Sequence, residues 1–129
     1  MNITLPRIKL SSLPTPVEPL ARLSKVLGGP RLFIKRDDLT GLAGGGNKTR
    51  KLEFLVADAQ LKKADTLITL GAVQSNHCRQ TAAAAARVGL RCIVVLRGHP
   101  PAEPAGNLLL IHLLGAEICW SGNRTREEE

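Results

Sequence analysis

The sequence predicts an α/β fold, a parallel sheet with helices on its faces, and three observations lead to it. Short apolar runs of strand length alternate with stretches of helical periodicity. Glycines and small polar residues mark the junctions between them. Two conspicuous loops, Gly41–Asn47 and Gly71–His77, each follow a strand and precede a helix. In parallel sheets that position is where ligands bind, outside the carboxyl ends of the strands.

The first thirty residues read as proline-rich loop, Leu13-Pro-Thr-Pro-Val-Glu-Pro19, giving way to a short amphipathic stretch over Leu20–Leu27 that Gly28-Gly-Pro30 stops. Arg31–Arg36 reads as a strand that ends at Asp37-Asp38 and the glycine loop. From Asn47 to Lys63 the apolar residues Leu52, Leu55, Val56 and Ala59 fall on one helical face. Thr66–Leu70 is a second strand. Ser75 or Asn76 then caps an alanine-rich helix that stops at Gly89. Arg91–Leu96 is a buried-type strand. Pro104 suits the first turn of a third helix, Leu108–Leu114, which Gly115 closes, and Glu117–Trp120 is the fourth strand. Thr125-Arg-Glu-Glu128 is a capping box, which opens a helix whose body would lie past residue 129. A truncated chain is expected from it.

Composition narrows the function. The net charge of +7 is scattered along the chain, and aromatic side chains are few, with no tyrosine. A nucleic-acid footprint needs clustered cations, and single-strand binding needs stacking platforms, so both are disfavoured. Cys78, Cys92 and Cys119 form no metal-ligand spacing with His77, His99 or His112. An odd number of cysteines and no export signal point to reduced thiols and a cytoplasmic protein. No apolar stretch is long enough to span a bilayer.

The glycine loop breaks a local rule. Gly44, Gly45 and Gly46 lead into Asn47, and then Lys48, Arg50 and Lys51 crowd the first turn of a helix. A helix N-terminus already carries partial positive charge, so cations there are locally unfavourable. An anion held at that end would explain them. So would a lysine that works as a neutral amine, because cationic neighbours disfavour its charged form. Nucleotide loops fit less well. Gly41 and Gly46 have P-loop spacing, but Asn47 stands where the lysine belongs, and the dinucleotide fingerprint fails at Thr49. A non-catalytic anion-binding module remains an alternative. In the second loop, Gln74, Ser75, Asn76 and His77 offer polar groups at a helix start. Taken singly, Ser75 and Asn76 also read as plain caps and Cys78 as a packing residue.

Together the motifs resemble a known family. Lys35-Arg-Asp-Asp-Leu39, Gly45-Gly-Asn-Lys-Thr-Arg-Lys-Leu-Glu53 and Gly71-Ala-Val-Gln-Ser-Asn-His-Cys-Arg-Gln-Thr81 are similar to the D-cysteine desulfhydrase and 1-aminocyclopropane-1-carboxylate deaminase family. Its members are pyridoxal-phosphate enzymes of the tryptophan-synthase-β-like fold, fold type II, and are much longer. The resemblance implies that Lys48 holds the cofactor as a Schiff base and moves the substrate's Cα proton. It implies that Lys51 helps to hold the cofactor phosphate and that Asn76 bonds the ring hydroxyl. Ser75 matches a serine beside the substrate's Cα and carboxylate, a nucleophile in the deaminase branch, and Gln74 and His77 would line the carboxylate pocket.

The implied chemistry is α,β-elimination from D-cysteine to pyruvate, hydrogen sulfide and ammonia. Ring-opening deamination and sulfite elimination from L-cysteate are the family's other reactions. His77 stands where the deaminase branch carries glutamine, which favours the desulfhydrase. The resemblance implies a homodimeric parent with residues 1–46 in the larger domain and 47–129 forming most of the smaller one. It also places the phosphate loop, the ring-nitrogen partner and the active-site tyrosines after residue 129. The isolated 129 residues are then expected to be inactive and to expose core faces.

Overall fold

The computed structural model describes residues 5–122. The elements follow in the order β1 (Val17–Pro19), α1 (Ala21–Leu27), β2 (Phe33–Lys35), α2 (Lys48–Leu61), β3 (Thr66–Gly71), α3 (Asn76–Val88), β4 (Arg91–Leu96), α4 (Gly106–Leu113) and β5 (Glu117–Trp120). Two short 3₁₀ turns, Asp37–Thr40 and Leu42–Gly44, lie between β2 and α2. The parallel sheet has three strands in the order β3-β4-β5, with Thr66 opposite Arg91 and Ile93 opposite Glu117. A helix in each crossover supplies the connection that parallel neighbours need.

The first predicted strand does not join that sheet. β2 pairs antiparallel with β1, with Val17 opposite Lys35 and Pro19 opposite Phe33, in a separate two-stranded sheet. The two glycine-marked loops therefore follow strands of different sheets. The third helix also starts later than Pro104 suggested. Ala105 is its N-cap, and Gly106, at φ +57°, is its first residue. The capping box at Thr125–Glu128 lies outside the described residues.

α3 organises the core. On one side Cys78, Ala82 and Ala85 pack with Cys92, Val94 and Leu96 of β4 and Leu108 and Ile111 of α4. On the other, Ala83 and Ala84 meet Leu52 and Val56 of α2, with Leu10 and Leu42. The alanine run is thus the means by which one helix lies close to three neighbours. Ile68 and Leu70 of β3 remain exposed.

The buried face of α2 is Thr49, Leu52, Glu53, Val56 and Ala57, whereas the predicted Leu55 is exposed. Two polar residues displace an apolar one because both find buried partners. Thr49 Oγ1 accepts a hydrogen bond from Gln80 Nε2. The Glu53 carboxylate accepts from the amides of Leu10 (3.0 Å) and Ser11 (2.8 Å), from the Ser11 hydroxyl (2.8 Å) and from Arg7 Nε (2.6 Å). Burial pushes the Glu53 carboxyl upward, but these donors outweigh it and hold the group at about 2.

Candidate functional site

The glycine loop is shaped by close packing. A Cβ on Gly45 would lie 1.8 Å from the Asp38 carbonyl oxygen, and one on Gly46 would lie 2.9 Å from Gln80 Oε1. Both residues have positive φ, +75° and +132°, which L side chains rarely adopt. The Gly46 amide donates to the Asp37 carbonyl (2.8 Å) and the Thr40 hydroxyl (2.9 Å). The loop is therefore folded onto the turn before it and delivers the chain to Lys48, the first residue of α2.

The three cations of that first turn divide. Arg50 binds Asp37 through two bonds, Nε at 2.8 Å and Nη2 at 2.7 Å, and Nη2 also donates to Thr15 Oγ1 at 2.9 Å. The Arg50 guanidinium is the main reason that the Asp37 carboxyl sits at about 2, with the Thr15 hydroxyl assisting against burial. Arg50 is thus a structural tie. Lys48 and Lys51 have no hydrogen bond or ion pair with any described residue, but both are close enough to influence His77. Burial first, then Lys51 and Lys48, hold the His77 imidazole below its ordinary value.

Ser75 is the N-cap of α3, its Oγ accepting from the Cys78 amide at 3.2 Å. The side-chain oxygen faces the end of β3, because a Cβ on Gly71 would lie 2.9 Å from Ser75 Oγ and 2.8 Å from Cys78 Sγ. Replacing Ser75 by alanine is expected to cost about 1 kcal/mol through loss of the cap, whereas asparagine keeps a capping oxygen. Thermal melts of the two variants check this. An activity that falls in both while stability falls only in the alanine variant separates the hydroxyl's chemistry from its capping.

Gln74 and Asn76 are joined through α4. The Asn107 amide donates to Gln74 Oε1 (2.8 Å), Gln74 Nε2 donates to the Ala105 carbonyl (3.1 Å), and Asn107 Nδ2 donates to Asn76 Oδ1 (2.9 Å). Gln74 thereby does for α4 what an N-cap side chain normally does. It also explains Gly106, where a Cβ would lie 2.7 Å from Gln74 Oε1.

Asn76 and Asn47 line one cleft of about 500 Å³ together with Gly44–Gly46, Lys35 and Arg79. His77 faces the other way, into a crevice of about 220 Å³ between α2 and β3 lined by Leu52, Leu55, Val56 and Ile68. Its Nδ1 is buried there without a partner among the described residues. The structure therefore brings Asn47, the residue before Lys48, together with Asn76, and sets His77 on the Lys48 and Lys51 side of α3 away from Gln74. Sequence reasoning missed Asn107, Arg79 and Gln80. Arg79 and Gln80 fall inside the Gly71–Thr81 motif, with the tight glycines Gly44 and Gly46 against them as the signal of a role, whereas Asn107 carries no such signal.

The donor set fits an aldehyde cofactor bearing a phosphate. Among the described residues the Lys48 and Lys51 amines have no partner, and Asn47, the residue before Lys48, shares a cleft with Asn76 at the N-terminus of α3. Among the described residues no cluster of histidine, cysteine and carboxylate could hold a metal ion, and no helix is long and apolar enough to cross a membrane.

Known proteins agree with this chemistry. The chain is 55% identical over 119 residues to D-cysteine desulfhydrase of Salmonella paratyphi B and equally to that of Salmonella newport, covering 88% of this chain and 36% of each relative. A crystal structure of an ACC deaminase homologue superimposes with a TM-score of 0.86 at 46% identity, over 94% of this chain and 36% of that one. The chain thus spans about a third of the length of the relatives it matches. Residues 8–129 match the model of the pyridoxal-phosphate dependent enzyme family, and the chain belongs to that family.

Proposed function

We propose that these residues form the lysine-bearing part of a pyridoxal-phosphate lyase that converts D-cysteine and water to pyruvate, hydrogen sulfide and ammonia. The observation that carries the reading is the 55% identity to D-cysteine desulfhydrases across the segment that holds both loops. When bound, the cofactor withdraws electrons from the substrate's Cα. The protein supplies the rest. Lys48 Nζ holds the cofactor and takes the Cα proton, and Lys51 opposes the phosphate charge one turn on. Asn76 donates to the ring hydroxyl while Asn107 Nδ2 fixes its amide by donating to Oδ1. Ser75 Oγ accepts the cap bond and its hydroxyl also bonds the Cys78 thiol, so in this reading its proton would turn from Cys78 to the substrate carboxylate. Gln74 holds the α3 and α4 starts together, and the carboxylate role of Gln74 and His77 rests on the resemblance alone, since His77 lies in the crevice beside α2 and not in the Asn76 cleft.

A second reading, ring-opening deamination of 1-aminocyclopropane-1-carboxylate, rests on the likeness to a chain described as an ACC deaminase homologue. The separate antiparallel pair β1-β2 supports a division of the chain near residue 46, with residues 1–46 belonging to the larger domain and 47–129 to the smaller. Three free cysteines support a reducing, cytoplasmic setting, and a homodimer is the assembly we propose for the whole enzyme.

Borohydride reduction of the cofactor-loaded enzyme, followed by peptide mapping, tests the site. The label is expected on Lys48, and label on Lys51 or on no peptide of this segment overturns the assignment. Sulfide from D-cysteine, set against ammonia and 2-oxobutyrate from the cyclopropane amino acid, decides the substrate.

A further inference from the structure

We propose that Arg79 and Gln80 are positioning residues of this site, consecutive side chains of α3 that hold the consecutive carbonyls of Gly45 and Gly46 and so set where Lys48 begins. Arg79 Nη2 donates to the Gly45 carbonyl at 2.8 Å, and Gln80 Nε2 donates to the Gly46 carbonyl at 3.3 Å and to Thr49 Oγ1. The inference rests on the reading of Lys48 as the cofactor lysine.

Arg79 is an unusual residue for a merely structural bond. It is 8% exposed, and its Nε is buried without a partner among the described residues. It pairs with no carboxylate there, although two line the same cleft, because Arg50 takes Asp37 and Arg36 takes Asp38. A buried cation is costly unless it is compensated, and here a single backbone carbonyl provides the compensation. A hydrogen bond with one charged partner is roughly twice as strong as a neutral one. Among the described residues, the hydrogen bond of the buried guanidinium is directed at one atom of the loop.

The geometry leaves that atom little freedom. A Cβ on Gly44 would lie 3.2 Å from Arg79 Nη1, and one on Gly46 would meet Gln80 Oε1, so the glycines allow the loop to lie directly on the two side chains. Arg79 is also one turn after Asn76 on the same face of α3, and both line the cleft. One rigid helix therefore carries the group proposed for the cofactor ring and the clamp for the loop that precedes Lys48. Their spacing is set by helix geometry rather than by two independent loops.

The test uses the full-length enzyme that carries these residues. Without cofactor, Arg79→Met is expected to speed amide exchange in the 44–51 peptide while the β4 peptides keep their protection. With cofactor, kcat for D-cysteine is expected to fall about tenfold, the scale of one charge-assisted hydrogen bond, with KM changing by less than about twofold. Arg79→Lys should recover part of both effects.

An unchanged 44–51 peptide overturns the proposal, as does a faster loop with unaltered kcat. Exchange that rises equally in β4 overturns it too, because Arg79 is then only a general stabiliser. If Arg79→Met does not fold, Gln80→Leu decides alone, because it removes the bond to the Gly46 carbonyl, and a loop protected as in the parent rejects the clamp. Borohydride mapping keeps the two ideas apart. Label away from Lys48 removes the lysine reading, while the exchange measurement still decides whether Arg79 holds the loop.

Discussion

Lys48→Ala is expected to lower sulfide release from D-cysteine by about three orders of magnitude, the range for loss of a positioned acid–base group. The full-length enzyme should remain folded, because Lys48 makes no hydrogen bond or ion pair with a described residue and the first turn of α2 is held by Arg50 instead. Lys48→Arg should be no better. It keeps the charge, but a guanidinium stays protonated and cannot take a proton. Lys51→Ala should behave differently, weakening cofactor retention about threefold to fivefold, as one exposed charge contact would, with smaller loss of turnover at saturating cofactor. Steady-state rates with cofactor titration check all three. Comparable kcat losses at Lys48 and Lys51 would reassign the roles.

Glu53→Ala is expected to be strongly destabilising, by about 3 kcal/mol or more. The carboxylate satisfies two backbone amides and the Ser11 hydroxyl in a buried place, and each donor left without an acceptor costs about 1–3 kcal/mol. Arg7 loses less, since it is half exposed and water replaces its partner. The same group gives the chain an acid-sensitive point. Its folded value of about 2 lies below the ordinary 4.5, so its stabilisation is complete above about pH 4.5 and is lost as the pH falls toward 2. Denaturant unfolding at neutral pH and at pH 3 should show the gap between parent and Glu53→Ala narrowing in acid. A gap that does not narrow would mean that the hydrogen bonds survive protonation.

The elements with sustained periodicity were legible without coordinates. β4 and β5 have the predicted bounds, β3 gains only Gly71, and α3 begins after Ser75 and ends before Gly89, as its capping residues implied. What escaped was set by partners distant in sequence. Strands of three residues carry too little pattern to show that β1 and β2 pair with each other. The hydrophobic face of α2 misled because Thr49 and Glu53 are buried through bonds to Gln80 and Ser11, which periodicity does not reveal. The site divides in the same way. Lys48, Ser75 and Asn76 stood out by type and spacing, whereas Asn107, outside the motifs, and Arg79, inside one but with no legible role, matter because the fold puts them beside Asn76 and Gly45.

The buried alanines of α3 have a consequence for how far away a damaging substitution can lie. The helix is a stiff rod of 13 residues, about 20 Å long, wedged between the sheet on one side and α2 on the other. Ala84 and Ala85 are fully buried, the first toward α2 and the second toward β4 and α4. A valine there adds two methyl groups to a packed interface, and overpacking of that kind is relieved by backbone shifts of the rod. Ser75 and Asn76 ride on its end and would move with it. Mechanical tolerance in the middle of the helix thereby becomes alignment error at its tip, and a mutation that touches no polar atom can detune the site.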